Sequence, residues 1–123
     1  MSSEIKESRL NRYFDKMMRI GSLGASTLPR ELFVSGSKRD EMVENMIVTI
    51  GKVQGRAERV FNKLTREDEQ TAVAFDIGKL HEHEKALREK KDDTFEISLA
   101  FVGIMSMSEG LKVFEQELGI EIS

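Results

Sequence analysis

Cysteine is missing from all 123 residues. That absence excludes disulfides, thiol nucleophiles and cysteine-ligated zinc or iron–sulfur centres, and it fits a reducing compartment. Proline occurs once, and there is no internal repeat or low-complexity tract. Breaks between elements must therefore come from glycine, serine and capping residues. No apolar run approaches the roughly 18–20 residues that a membrane-spanning helix needs, and the opening MSSEIKESRL is charged where a signal peptide is apolar. The expectation is a cytoplasmic protein that is neither secreted nor embedded in a membrane. Catalytic signatures are equally scarce, with no GxSxG elbow, phosphate loop or dinucleotide fingerprint. No cofactor is expected, and the chain reads as a non-enzyme.

What is present is the composition of a folding chain, 39% hydrophobic and 33% charged. At this length it is expected to form one domain over residues 1–123. The net charge of −3 conceals an asymmetry: residues 1–66 carry 13 Lys/Arg against 8 Asp/Glu, and residues 67–123 carry 6 against 14. The halves are therefore +5 and −8. Such a split suits either a polyanion partner or two halves, or two copies, that pack with complementary charge, and the second reading is preferred.

Hydrophobic periodicity predicts four helical segments. The first spans about Ser3 to Ile20, with Leu10, Phe14, Met17 and Met18 as its apolar positions and Gly21 as its stop. A small-residue connection around 21–37 follows, expected to be flexible, with one short helix starting near Pro29. The second segment gives the clearest signal: Met42, Met46, Ile50, Val53, Ala57, Val60 and Leu64 recur at spacings of 4, 4, 3, 4, 3 and 4. About 26 residues long, it would span roughly 39 Å and form the central helix, with Ser37 and Asp40 near its start resembling a capping box. The third segment buries Val73, Ile77, Leu80 and Leu87, with Phe75 flanking. In the fourth, Phe95, Ile97, Leu99 and Phe101 alternate as in a strand, while Ile97, Phe101, Ile104, Leu111, Phe114 and Leu118 follow a helical face that Gly119 would end. The helix is preferred, since a lone strand has no sheet to join. The fold class is thus all-α, a four-helix bundle-like single domain with one long central helix, and α+β is the alternative.

Candidate sites follow from glycine, methionine and charge. Gly51 and Gly55 share one face of the second helix, and Ala100, Gly103 and Gly110 share one of the fourth, where small residues let another backbone approach closely. Met105 and Met107 cannot both face one core from a single helix side, so either that helix is buried on two sides or one methionine meets another chain. These seven residues are the candidate partner interface. Two basic stripes, Arg9, Arg12, Lys16 and Arg19, then Lys52, Arg56, Arg59 and Lys63, could neutralise a phosphate backbone. Asp15 and Glu58 interrupt them and no aromatic residues interleave for base stacking, so a solvated helix face is the simpler reading. His81 and His83 lie two apart, which on a helix turns them to different sides, and no metal is expected there.

The function expected from these residues is a non-enzymatic protein–protein interaction module, an adaptor, chaperone or inhibitor of another protein, self-associating as a homo-oligomer. The alternative is a nucleic-acid-binding accessory protein that uses the basic faces. An enzyme built around His81 or His83 would require a pocket converging on a histidine.

Overall fold

A computed structural model describes residues 8–120, and it is all-α: α1 (Arg9–Ser26), a short 3₁₀ turn (Arg30–Phe33), α2 (Ser37–Lys63), α3 (Glu67–Glu89) and α4 (Thr94–Leu118). No strand occurs among the described residues, so residues 94–102 are helix and the α+β alternative is set aside. The first seven positions, where the helix was expected to begin, lie outside the described residues.

Each helix is delimited by local chemistry. Ser8 caps α1 by accepting from the Asn11 amide, and Asp93 caps α4 by accepting from Phe95 and Glu96. Gly119 ends α4 at φ 67°, a left-handed position that favours glycine. The N-cap of α2 is Gly36 at φ 149°, a conformation nearly confined to glycine, and no side chain caps the helix, so the expected Ser37 capping box does not form.

Two expectations about length are corrected. Gly21 does not stop α1, which continues to Ser26, because Gly21 and Gly24 face α4 and their missing side chains let the two helices meet. The connection is correspondingly shorter than 21–37, and its 3₁₀ turn inserts Leu32 fully into the core.

The helix at the centre of the fold is α4, not α2. It packs against α1, α2 and α3, antiparallel to α1 and α3 and parallel to α2. Its buried residues include Ile97, Ala100, Ile104, Met107, Leu111 and Phe114. This placement explains its composition. Its most apolar 18-residue window has a mean hydropathy of 1.4, so α4 is, among the described residues, one helix long and apolar enough to cross a membrane, which corrects the expectation that none is. Here it is the core helix of the bundle, and it carries a buried carboxylate, Glu115. Of the seam expected on α2, Met46, Ile50, Val53, Ala57 and Val60 are buried, as is Leu64 just past its end, while Met42 is half-buried and Val43 takes the buried position beside it.

Candidate functional site: a cleft between α1 and α3

Close backbone packing joins α1 to α4, whereas α1 and α3 meet through side chains. Tyr13 donates its hydroxyl to Asp76 Oδ2 at 2.5 Å, and Arg9 forms a two-pronged pair with Glu69, both bonds 2.8 Å. The spacing leaves a cleft along α1 and α3, floored by α4.

Its deeper end is a cavity of about 380 Å³. Phe14, Met17 and Met18 of α1 and Phe75 and Leu80 of α3 form the apolar walls. The floor is mixed: Asp76 and His83 from α3 and Ser106 from α4 are its polar members, beside Gly103 and Met107. A shallower continuation runs over Leu10, Phe14, Ala72 and Phe75 toward Glu67. From Glu67 to His83 the cleft follows α3 for about 24 Å at 1.5 Å per residue.

The exposure of its walls is unusual for large apolar side chains. Phe14 is 42%, Phe75 63% and Met18 72% exposed, and they lie beside one another on facing helices. Phe14 and Met18 were expected on the core face of the first helix; Tyr13 occupies that face instead, its ring tilted against Phe114 at 4.7 Å between centroids.

Burial and neighbours shift the floor's titrations. Burial pushes the Asp76 carboxyl above its ordinary value, opposed by the Tyr13 hydroxyl. The Tyr13 hydroxyl is raised too, by burial and by Asp76. Burial and the nearby Lys79 lower His83, against the attraction of Glu82 and Glu96, which favours neutral imidazole. Seven residues separate Asp76 from His83, two turns of helix, so they do not form an acid–base pair. Lys79, at the mouth, is paired with Glu82 at 3.2 Å and lies 5.4 Å from the centroid of the Phe75 ring.

No family model, curated protein or solved structure matches the chain. Function has to be read from the molecule itself.

The sequence-derived interface residues divide into two groups. Ala100, Gly103, Met107 and Gly110 serve the inside of the subunit. A Cβ on Gly110 would stand 2.5 Å from Met17 Cγ and 3.2 Å from Tyr13 Cε1, and one on Gly103 would meet His83. Met107 is 2% exposed, which corrects its place as a contact for another chain. The two methionines face different ways because α4 is buried on several sides: Met107 lines the α1/α3 cleft, and Met105 lines a second cavity of about 290 Å³ with Met42, Met46 and Phe101. Gly51 and Gly55 remain open, with nothing within 4 Å of an added Cβ.

The basic stripes are partly neutralised by the acidic second half. Arg9 pairs with Glu69, Arg12 with Glu117, and Arg56 with Glu115 and Ser108. Glu109 is held below its ordinary range first by its bond to Lys112, with Lys16 and Arg56 adding to the effect. Arg19, Lys52, Arg59 and Lys63 have no ion pair among the described residues. Arg39 is buried, and its Nε and Nη2 have no partner among the described residues.

His83 therefore lies in a cavity, as the enzyme reading requires, and His81 is exposed outside it. Sequence reasoning missed Tyr13, Asp76 and Ser106. A signal for Asp76 existed: Val73, Asp76 and Leu80 follow the helical period, which places a carboxylate at a core position.

Proposed function

We propose that the protein is a non-enzymatic interaction module that holds an amphipathic helix of another protein in the α1/α3 cleft, as an adaptor, chaperone or inhibitor does. The observation that carries this is the exposure of Phe14, Met18 and Phe75 along a continuous trough. Large apolar side chains clustered in water mark a binding surface, and flexible thioethers beside aromatic rings adapt to varied apolar partners. A trough of about 24 Å accommodates roughly four turns of helix, the dimension of helix-in-groove recognition. The cytoplasmic setting belongs to the same reading, as does self-association, for which the open Gly51 and Gly55 face of α2 is the surface.

Nucleic-acid binding is the second reading. Its support is the set Lys52, Arg59 and Lys63 on α2, which has no ion pair among the described residues; against it stands the neutralisation of Arg9, Arg12 and Arg56 within the fold.

The test compares tagged wild-type protein with a Phe14→Ser/Phe75→Ser variant in affinity purification from the source cells, with and without nuclease. Both side chains are exposed, so the variant should fold, which circular dichroism checks. The expected result is a stoichiometric protein that survives nuclease, is lost with the double variant, and is joined through a helical segment by a photo-crosslinker placed at Met18. A partner retained equally by both proteins, or recovery of nucleic acid alone, overturns the reading.

A further inference from the structure

The cleft is apolar along its walls, yet its floor presents polar groups that open into the cavity. Asp76 is 9% exposed, and Tyr13 engages only its Oδ2; Oδ1 has no donor among the described residues. Ser106 is 7% exposed, lines the same cavity, and its hydroxyl has no partner among the described residues. His83, half-buried and favouring the neutral form, leaves one ring nitrogen able to accept. These atoms are not sealed in the core but open into the cavity, where the Asp76 carboxylate can only accept, while the Ser106 hydroxyl and the His83 ring can accept or donate.

Charge specifies the donor further. Lys79 at the mouth is already paired with Glu82, and Asp68 in the shallow part is paired with Arg66. The charged side chains that line the cleft and lack an ion pair among the described residues are Glu67 and Asp76, both carboxylates. Phe14 adds the negative face of an aromatic ring, which attracts cations, whereas the Phe75 ring already has Lys79 Nζ 5.4 Å from its centroid.

We infer that the deep end of the cleft is a receptor for a cationic group on an apolar stem, with Asp76 as counter-ion, Ser106 as second acceptor, and the rings of Phe14 and Phe75 flanking the stem. Within the function proposed above, on which this rests, the occupant is a lysine or arginine side chain projecting from the apolar face of the partner helix. A cavity of about 380 Å³ has room for such a side chain, near the lower end of ligand pockets at roughly 300–1,000 Å³.

The site can be tested without the partner. Tyr13 is the one tyrosine of a chain without tryptophan, and its hydroxyl is bound to Asp76, so intrinsic fluorescence reports on the floor directly. The probes are phenethylamine, phenethyl alcohol and hydrocinnamate, which share an aromatic body and differ in the charge of the head. Saturable change with the amine, at least tenfold tighter than with the alcohol or the acid, is expected. Asp76→Asn, which keeps an oxygen for Tyr13, should remove that preference; Ser106→Ala should weaken the amine several-fold while leaving the fold intact. Equal binding of all three probes, no saturable response to the amine, or an unchanged preference in folded Asp76→Asn overturns the inference. Loss of the partner in the Phe14→Ser/Phe75→Ser variant without any amine preference would sink this inference alone. Amine preference with full partner retention in that variant would sink the docking reading alone.

Discussion

The imidazole of His83 rests against Gly103 so closely that a Cβ on the glycine would stand 2.5 Å from Nε2. The absent side chain is thus what seats the ring in the cleft floor. Gly103→Ala should push the ring outward into water and return its pKa toward the ordinary value of about 6.5. A proton NMR titration of the imidazole reads this; a ring that keeps its lowered pKa in the variant would contradict the geometry.

The same burial gives stability a pH dependence of known sign. The folded pKa of His83 lies below the unfolded one, so the folded state binds fewer protons in the window between them. Its contribution is fully present above about pH 6.5 and is lost as pH falls through the lowered folded value. Asp76 acts oppositely: its folded pKa is raised, so its contribution is greatest at low pH and falls as pH rises through the folded value. Thermal melts of wild type and His83→Gln from pH 7.5 downward should converge on acidification, because the variant lacks the titrating ring. Parallel curves would deny the burial.

Arg56 and Glu115 form the tether between α2 and α4, with Glu115 at 1% exposure. Arg56→Ala strands that carboxylate and should cost about 3–5 kcal/mol in chemical denaturation. Arg12→Ala, whose pair with Glu117 is solvent-exposed, should change stability by less than about 1 kcal/mol. Equal losses would mean that burial does not rank these pairs. For the same reason, Arg56→Glu tests the fold more than it tests nucleic-acid binding, and Lys52→Glu or Lys63→Glu is the cleaner probe.

Glycines separate into packed and open positions. Gly110→Ala drives a methyl toward Met17 and the fully buried Tyr13, and should destabilise by about 1–3 kcal/mol. Gly51→Ala meets nothing within 4 Å and should stabilise the helix by up to about 1 kcal/mol. Denaturant midpoints for the two variants should therefore move in opposite directions.

Much of the fold was legible because helical period and punctuation act locally. The α2 seam, the stop of α4 at Gly119 and the helical state of residues 94–102 all follow from spacing, caps and the lack of a sheet partner. The end of α1 was misplaced for a tertiary reason: Gly21 and Gly24 look like helix breakers until α4 lies against them. The centre of the bundle was misassigned because regularity is not centrality. The single-sided seam on α2 marks a helix with one buried face, whereas the mixed periodicity of α4 reflects burial on several sides.

The candidate site was less legible. Phe14 and Phe75 are apolar in sequence, and composition cannot tell a side chain that fills a core from one left at the rim of a trough. Residues 1–66 and 67–123 announced their complementary charge, but which arginine met which carboxylate depended on how α1 and α2 lie along α4. What the sequence determined by itself was the set of helices, one buried face of α2, and the absence of cysteine chemistry, all properties of neighbours along the chain. Only the tertiary structure decided that α4 is the core, that Gly103 and Gly110 serve packing within the subunit, and that Asp76, His83 and Ser106 line one cleft with Tyr13 bound behind Asp76, since each depends on contacts between residues distant in sequence.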